Sequence, residues 1–178
     1  MKRIWAFVMT LGVGSSAFAA LDVGEAAPDF TTSAAVAGKV YNYSLKESLA
    51  KGPVVLFFFP AAFSTGCSIE ANEFAQNIDK FGALGATVIG VSGDDIDTLS
   101  KFSVKECHGK FPVASDGSKS IMKSYDAVMQ NYPDFANRIS YVIAPNGSVV
   151  YNYLGLNPSR HVDKTLGALR EWSKDKKK

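Results

Sequence analysis

The sequence predicts an α/β fold with a mixed central sheet flanked by helices, and three observations lead there. An unbroken apolar run over 54–59, Val-Val-Leu-Phe-Phe-Phe, fits a central strand covered on both faces. Beyond Pro60 the pattern changes, with Ile69, Phe74, Ile78 and Phe81 recurring near helical spacing, so a strand feeds a helix. Later, Asn146-Gly147 separates the apolar runs 139–144 and 148–154, a hairpin signal that adds antiparallel strands.

The first nineteen residues are set apart from that fold. Lys2 and Arg3 precede an apolar run over 4–13 and small residues ending Ala17-Phe18-Ala19, the pattern of a secretory signal cleaved between Ala19 and Ala20. The run is short for a permanent bilayer anchor, although an uncleaved anchor or a buried first helix is the alternative reading. No Cys follows it, which argues against a lipoprotein. The expectation is a leader over 1–19, one domain over 20–178, a periplasmic location and no stable membrane association once the leader is removed.

Of the 19 Lys and Arg residues, Lys2 and Arg3 fall in the leader, and the remaining 17 match the 17 Asp and Glu. A neutral mature chain has no electrostatic basis for nucleic-acid binding. The lysines at 174 and 176–178 read as a solvated tail.

Along the mature chain, 24–30 is a Pro-containing lead-in and 31–45 a short hairpin around Gly38. A helical turn over 45–49 ends at Lys51-Gly52-Pro53, before the strand at 54–59. The helix after Pro60 is followed by a strand over 86–92, a turn at Gly93-Asp94-Asp95 and a helix from about 96 to Cys107, a βαβα order with a parallel core. A short strand at 111–114, ended by Asp116-Gly117, precedes a helix of two turns or fewer over 119–125. The hairpin strands 139–144 and 148–154 follow, then a closing helix from about 158 to 174 with Val162, Leu166, Leu169 and Trp172 on one stripe.

Cys67 stands where the buried strand gives way to the helix. A thiol in the first turn of a helix meets unpaired backbone N–H groups and the positive end of the dipole, which favour the nucleophilic thiolate. Ser64, three residues earlier, is placed to cap the helix and to donate to the sulfur. Pro60 turns the chain off the strand and shields the sulfur. Glu70, one helical turn beyond Cys67, opposes the thiolate unless a cation pairs with it, and Arg138 is the candidate for that cation and for contact with the sulfur. Taken singly, Ser64 also reads as a plain cap, Pro60 as a turn residue, Glu70 as a dipole-favoured acid and Arg138 as a surface charge. Their joint spacing favours the functional reading.

Pro60, Ser64, Cys67 and Glu70 match the pattern P-x-x-x-[T/S]-x-x-C-x-x-E, and the chain resembles the peroxiredoxin family. The resemblance extends to Ala27-Pro28-Asp29-Phe30, to Gly90-Val91-Ser92, to Phe111-Pro112-Val113 with Ser115-Asp116, and to Arg138 before Ile139. It looks most like the bacterioferritin-comigratory, or peroxiredoxin Q, branch. Two departures stand out. Ser64 replaces the more usual threonine, and Phe57 to Ala62 lack the aromatic hydroxyl and charged residues often found beside the proline in that branch. The resemblance implies a thioredoxin-like fold and a thiol-dependent peroxidase without a bound cofactor, working as monomer or dimer. Cys67 is then the attacking cysteine, Ser64, Arg138 and Pro60 activate it and contact the peroxide, and a thioredoxin-like dithiol partner supplies electrons. Phe57, Phe58, Phe59, Phe63 and Phe74 read chiefly as core, with Phe63 as the candidate to wall the peroxide pocket or form an oligomer contact.

Cys107 is the second of the two cysteines, too distant in sequence for a CxxC pair. Some members of the branch place a resolving cysteine in the corresponding helix, so the resemblance permits a Cys67–Cys107 disulfide; a free or structural thiol is the other reading. His108 and His161 form no zinc pattern with the cysteines, and no metal is expected. Rival readings are a periplasmic disulfide reductase, which would need a second thiol within Cys67-Ser68-Ile69-Glu70, and a non-enzymatic redox sensor.

Overall fold

The computed structural model describes residues 20–176, so the expected leader over 1–19 and its cleavage point lie outside the described residues. The chain opens with the expected hairpin, β1 (Thr31–Val36) and β2 (Lys39–Ser44), turned at Ala37 and Gly38, both at positive φ as a tight hairpin turn requires. Ser44 ends β2 and caps α1 (Leu45–Leu49) by accepting the Glu47 N–H at 3.3 Å. The apolar run then forms β3 (Val54–Phe58), buried at every position. Its ladder stops one residue short of the expected end, although the Phe59 N–H still reaches the Val91 carbonyl at 3.1 Å.

The βαβα segment follows as α2 (Thr65–Gly82), β4 (Thr87–Ser92) and α3 (Ile96–Lys105), the last capped by Asp95 on the Thr98 N–H at 2.8 Å. Next come β5 (Val113–Ser115), α4 (Ser120–Ser124) and a small hairpin that the sequence reading missed, β6 (Val128–Met129) with β7 (Tyr132–Ala136). The C-terminal part is β8 (Ile139–Ile143), β9 (Val149–Leu154) and α5 (Pro158–Asp175), with Asn157 as cap and Pro158 in the first turn.

Seven strands form one sheet in the order β2-β1-β5-β4-β3-β8-β9. β3 and β5 lie parallel to β4, while β8 and β9 extend the sheet antiparallel, as does the β1/β2 hairpin at the other edge. Alternation along β3 divides the core. Val54, Leu56 and Phe58 pack with Leu45 and Leu49 of α1, Met122 of α4, Tyr125 and Tyr141. Val55 and Phe57 face the other side, with Phe74 and Phe81 of α2, Phe102 of α3 and Leu166 and Leu169 of α5. Phe57 stacks on Phe74 with centroids 4.5 Å apart, and burial of each such ring contributes about 2–3 kcal/mol. Among the described residues no helix is long and apolar enough to cross a membrane.

Candidate active site

β3 and β4 are parallel neighbours inside the sheet, so the chain leaves both at the same end of it, the carboxyl end where open α/β sheets place their ligands. The segment leaving β3 passes through Pro60 into a short loop before α2. Asp94, just past β4, holds that loop: its Oδ2 accepts from the Ala62 N–H at 2.7 Å and from the Ser92 hydroxyl at 2.8 Å. Phe63 follows in the left-handed region, at φ 62°, with its ring edge-on to Phe102. This geometry delivers Cys67 into the first turn of α2 at 1% exposure.

Arg138, immediately before β8, closes over the sulfur. Its Nη2 donates to Cys67 Sγ at 3.4 Å, and its Nη1 donates to the Gly66 carbonyl at 3.4 Å and forms an ion pair with Glu70 Oε2. The guanidinium is 9% exposed, and Glu70 is sealed from solvent. Against the cost of burying Arg138, its contacts with Glu70 and Cys67 raise its pKa, so it stays cationic. Burial pushes the Glu70 carboxyl up to about 8, against the downward pull of Arg138. The structure brings together Glu70, Arg138 and the sulfur, the juxtaposition that the sequence pattern anticipates.

Ser64 differs from expectation. It stands at the N-cap position with extended backbone, but its side chain caps nothing; the hydroxyl donates to the Ala61 carbonyl at 3.0 Å. The nearby acceptor within its own loop takes the hydroxyl from the helix N–H groups, and no hydrogen bond joins Ser64 to the sulfur. Phe63 is 42% exposed, with its ring against Phe102. A cavity of about 320 Å³ beside Arg138 is lined by Pro60, Met129, Asn137, Leu154, Gly155 and Leu156, without Phe63 or Ser64.

Cys107 does not end α3 as expected. The helix stops at Lys105, Glu106 caps it, and His108 and Gly109 at positive φ reverse the chain. Cys107 is a free thiol at 0% exposure, in the same apolar cluster as Cys67, and burial with Glu106 beside it raises its pKa. His108 is exposed and lies 2.8 Å from the Asn72 amide on α2.

One neighbour of the site escaped the sequence reading. His161 on α5 is fully buried; Nδ1 lies 2.8 Å from Ser140 Oγ and 3.6 Å from Glu70 Oε1, and Nε2 lies 2.8 Å from the Gly155 carbonyl. Its only trace in the sequence is its place on the amphipathic stripe beside Val162, a position equally open to a core histidine. Among the described residues no cluster of His, Cys, Asp or Glu is arranged to hold a metal. The assembly is a buried thiol in a helix first turn under a fixed cation, beside a largely apolar cavity, and such an arrangement stabilises an anion developing next to the sulfur.

Over residues 23–152 the chain matches the model of the AhpC/TSA family. It is 34% identical over 157 residues to the chloroplastic peroxiredoxin Q of Gentiana triflora, covering 87% of this chain and 70% of that one. The corresponding protein of Arabidopsis thaliana is 36% identical over 167 residues, covering 86% and 69%. Among solved structures, peroxidoxin BcpB of Mycobacterium tuberculosis superposes with a TM-score of 0.75 at 26% identity, over 84% of this chain and 96% of that one. The reduced 2-Cys peroxiredoxin of Plasmodium vivax shares the fold at a TM-score of 0.78 and 24% identity, over 88% and 99%. With a thioredoxin-like sheet, a cysteine under an arginine at its carboxyl end and relatives named peroxiredoxin Q, the chain belongs to the AhpC/TSA family, the peroxiredoxins, on its peroxiredoxin Q branch.

Proposed function

We propose that this thiol-dependent peroxidase reduces hydrogen peroxide and organic hydroperoxides through Cys67. The observation that carries the assignment is the Arg138 Nη2 to Cys67 Sγ contact at 3.4 Å in the first turn of α2. The thiolate attacks one peroxide oxygen in line with the O–O bond, the O–O bond breaks, and the departing alkoxide or hydroxide takes up a proton to leave as alcohol or water. Arg138 stabilises the charge developing on that oxygen. Pro60 walls the approach, the cavity beside Arg138 gives room for an apolar peroxide tail, and Ser64 contributes its hydroxyl once peroxide enters its loop.

Cys67 is left as a sulfenic acid, which condenses with the Cys107 thiol and releases water. A thioredoxin-like dithiol partner then reduces the disulfide and is itself oxidised. A disulfide requires Cα atoms within roughly 7 Å, and both thiols are buried, so the pairing needs the first turn of α2 and the segment after α3 to open. The leader-like residues 1–19 support export, after which the mature chain acts in the periplasm, free of the membrane, as monomer or dimer.

The test is intact mass after one equivalent of peroxide on the native protein and on Cys107→Ser. A loss of two hydrogens in the first and a gain of one oxygen in the second are expected. Oxygen gain in both would overturn the role of Cys107, and peroxide consumption by Cys67→Ser would overturn that of Cys67.

A further inference from the structure

Glu70 has two oxygens in very different situations. Oε2 is paired with Arg138, whereas Oε1, equally sealed from water, has no hydrogen-bond partner and points toward His161 Nδ1 at 3.6 Å. A buried carboxylate oxygen without a donor is costly. The imidazole supplies none in its neutral form. Nε2 carries the proton that is donated to the Gly155 carbonyl at 2.8 Å, which leaves Nδ1 a bare acceptor. The Ser140 hydroxyl donates to that nitrogen at 2.8 Å, so Glu70 Oε1, 3.6 Å away, meets a ring nitrogen that has no proton to give it.

The charge count points the same way. A Cys67 thiolate and a Glu70 carboxylate against the single cation Arg138 would leave one uncompensated negative charge in a closed site. A proton on Glu70 makes the site neutral.

Building on the peroxidase reading of Cys67, we propose that Glu70 is held protonated in the closed site, where its sealed Oε1 is offered no donor by His161, and so leaves the charge of Arg138 to the Cys67 thiolate. The groups facing this pair are Cys67 and Glu73 on α2, Arg138 ahead of β8 and Tyr153 on β9, whose ring packs on the imidazole; Glu73 is occupied by Ser159 Oγ at 3.3 Å. The titration tendencies agree with the geometry. Burial raises Glu70 to about 8 despite Arg138, while burial and the charge of Arg138 lower His161 to about 4 despite the Gly155 contact. As pH rises past about 8, Glu70 ionises and draws on Arg138, which then stabilises the leaving oxygen less.

Two measurements test this. Infrared difference spectra of the reduced native protein between pH 6 and pH 9 are expected to show the loss of a protonated-carboxyl band that is missing from Glu70→Gln. Stopped-flow rates of sulfenic acid formation should fall on the alkaline side with a midpoint near 8. That limb is lost in Glu70→Gln, whose amide cannot ionise. Absence of the band in the native protein at pH 6, or a limb unmoved in Glu70→Gln, would overturn the proposal. The spectra need no turnover, so a protein that shows the band but consumes no peroxide counts against the peroxidase reading and for the protonated Glu70.

Discussion

Gly66 lies directly beneath the Arg138 guanidinium, and a Cβ at that position would meet Nη2 at 2.9 Å. Nη2 is the nitrogen that donates to Cys67, and the pairing of Nη1 with Glu70 restrains the group from moving aside. Gly66→Ala should keep the helix, which alanine favours over glycine by up to about 1 kcal/mol, while pushing the cation off the sulfur. Stopped-flow is expected to show attack on peroxide slowed about ten- to hundred-fold with an undiminished thermal midpoint; a rate within two-fold of native would show that the Arg138 contact is dispensable. At this scale Cys67, Glu70 and Arg138 are legible in the sequence, because helix position and charge compensation are local or pairwise arguments. His161 is not. Its surroundings come from Glu70 on α2, Ser140 on β8 and the Gly155 carbonyl beyond β9, and no periodicity announces a meeting of three elements. Ser64 shows the opposite failure, since the cap rule is sound and a competing carbonyl in its own loop takes the hydroxyl.

Elements hold the site through the Asp94 clamp. Its carboxylate joins the end of β4 to the Ala62 N–H, in the loop that aims α2, while the Lys119 ammonium steadies the same turn by donating to the Gly93 carbonyl at 2.6 Å. Asp94→Ala leaves the Ala62 N–H and the Ser92 hydroxyl without their acceptor, and a loss of about 1–3 kcal/mol in urea denaturation is expected, with slower peroxide reduction as Cys67 loses its placement. Stability unchanged within error would show that the loop is held by Phe63 on Phe102 instead. The sequence marks Asp94 only as a turn residue, since its acceptor role depends on a loop from a different strand. Other element-scale misses have similar causes. β6 spans two residues, and β7 carries Pro133 with four exposed positions of five, so neither shows the alternation that marks a strand. α3 ends at Lys105, two residues before Cys107, and the chain reverses beyond it through His108 and Gly109, both at positive φ, so the glycine marks the reversal and not the last helical residue.

For the whole molecule, periodicity identifies strands but not neighbours. That β3 is covered on both faces is legible from its unbroken apolar run; that β8 pairs with it, and that the N-terminal hairpin joins through β5, is long-range pairing which local patterns leave open. Global stability gives a matching whole-molecule readout for the buried charges. His161 falls from its ordinary 6.5 to about 4, so between those values the unfolded chain takes a proton that the native state refuses, and this contribution to stability is lost as pH falls. Glu70 rises from 4.5 to about 8, so the native state keeps a proton that the unfolded chain releases, and that contribution is lost as pH rises toward the higher value. The two slopes oppose each other between 4.5 and 6.5, and only that of Glu70 remains between 6.5 and about 8. The buried tyrosines and Cys107, with ordinary values of 10.0 and 9.0 raised further by burial, titrate above that window. Thermal midpoints of the native protein should therefore fall from pH 6.5 to 8 relative to those of Glu70→Gln, by a few degrees if the linkage amounts to about 1 kcal/mol per pH unit. Parallel midpoint curves for the two proteins across that window would mean that Glu70 is already ionised in the folded state.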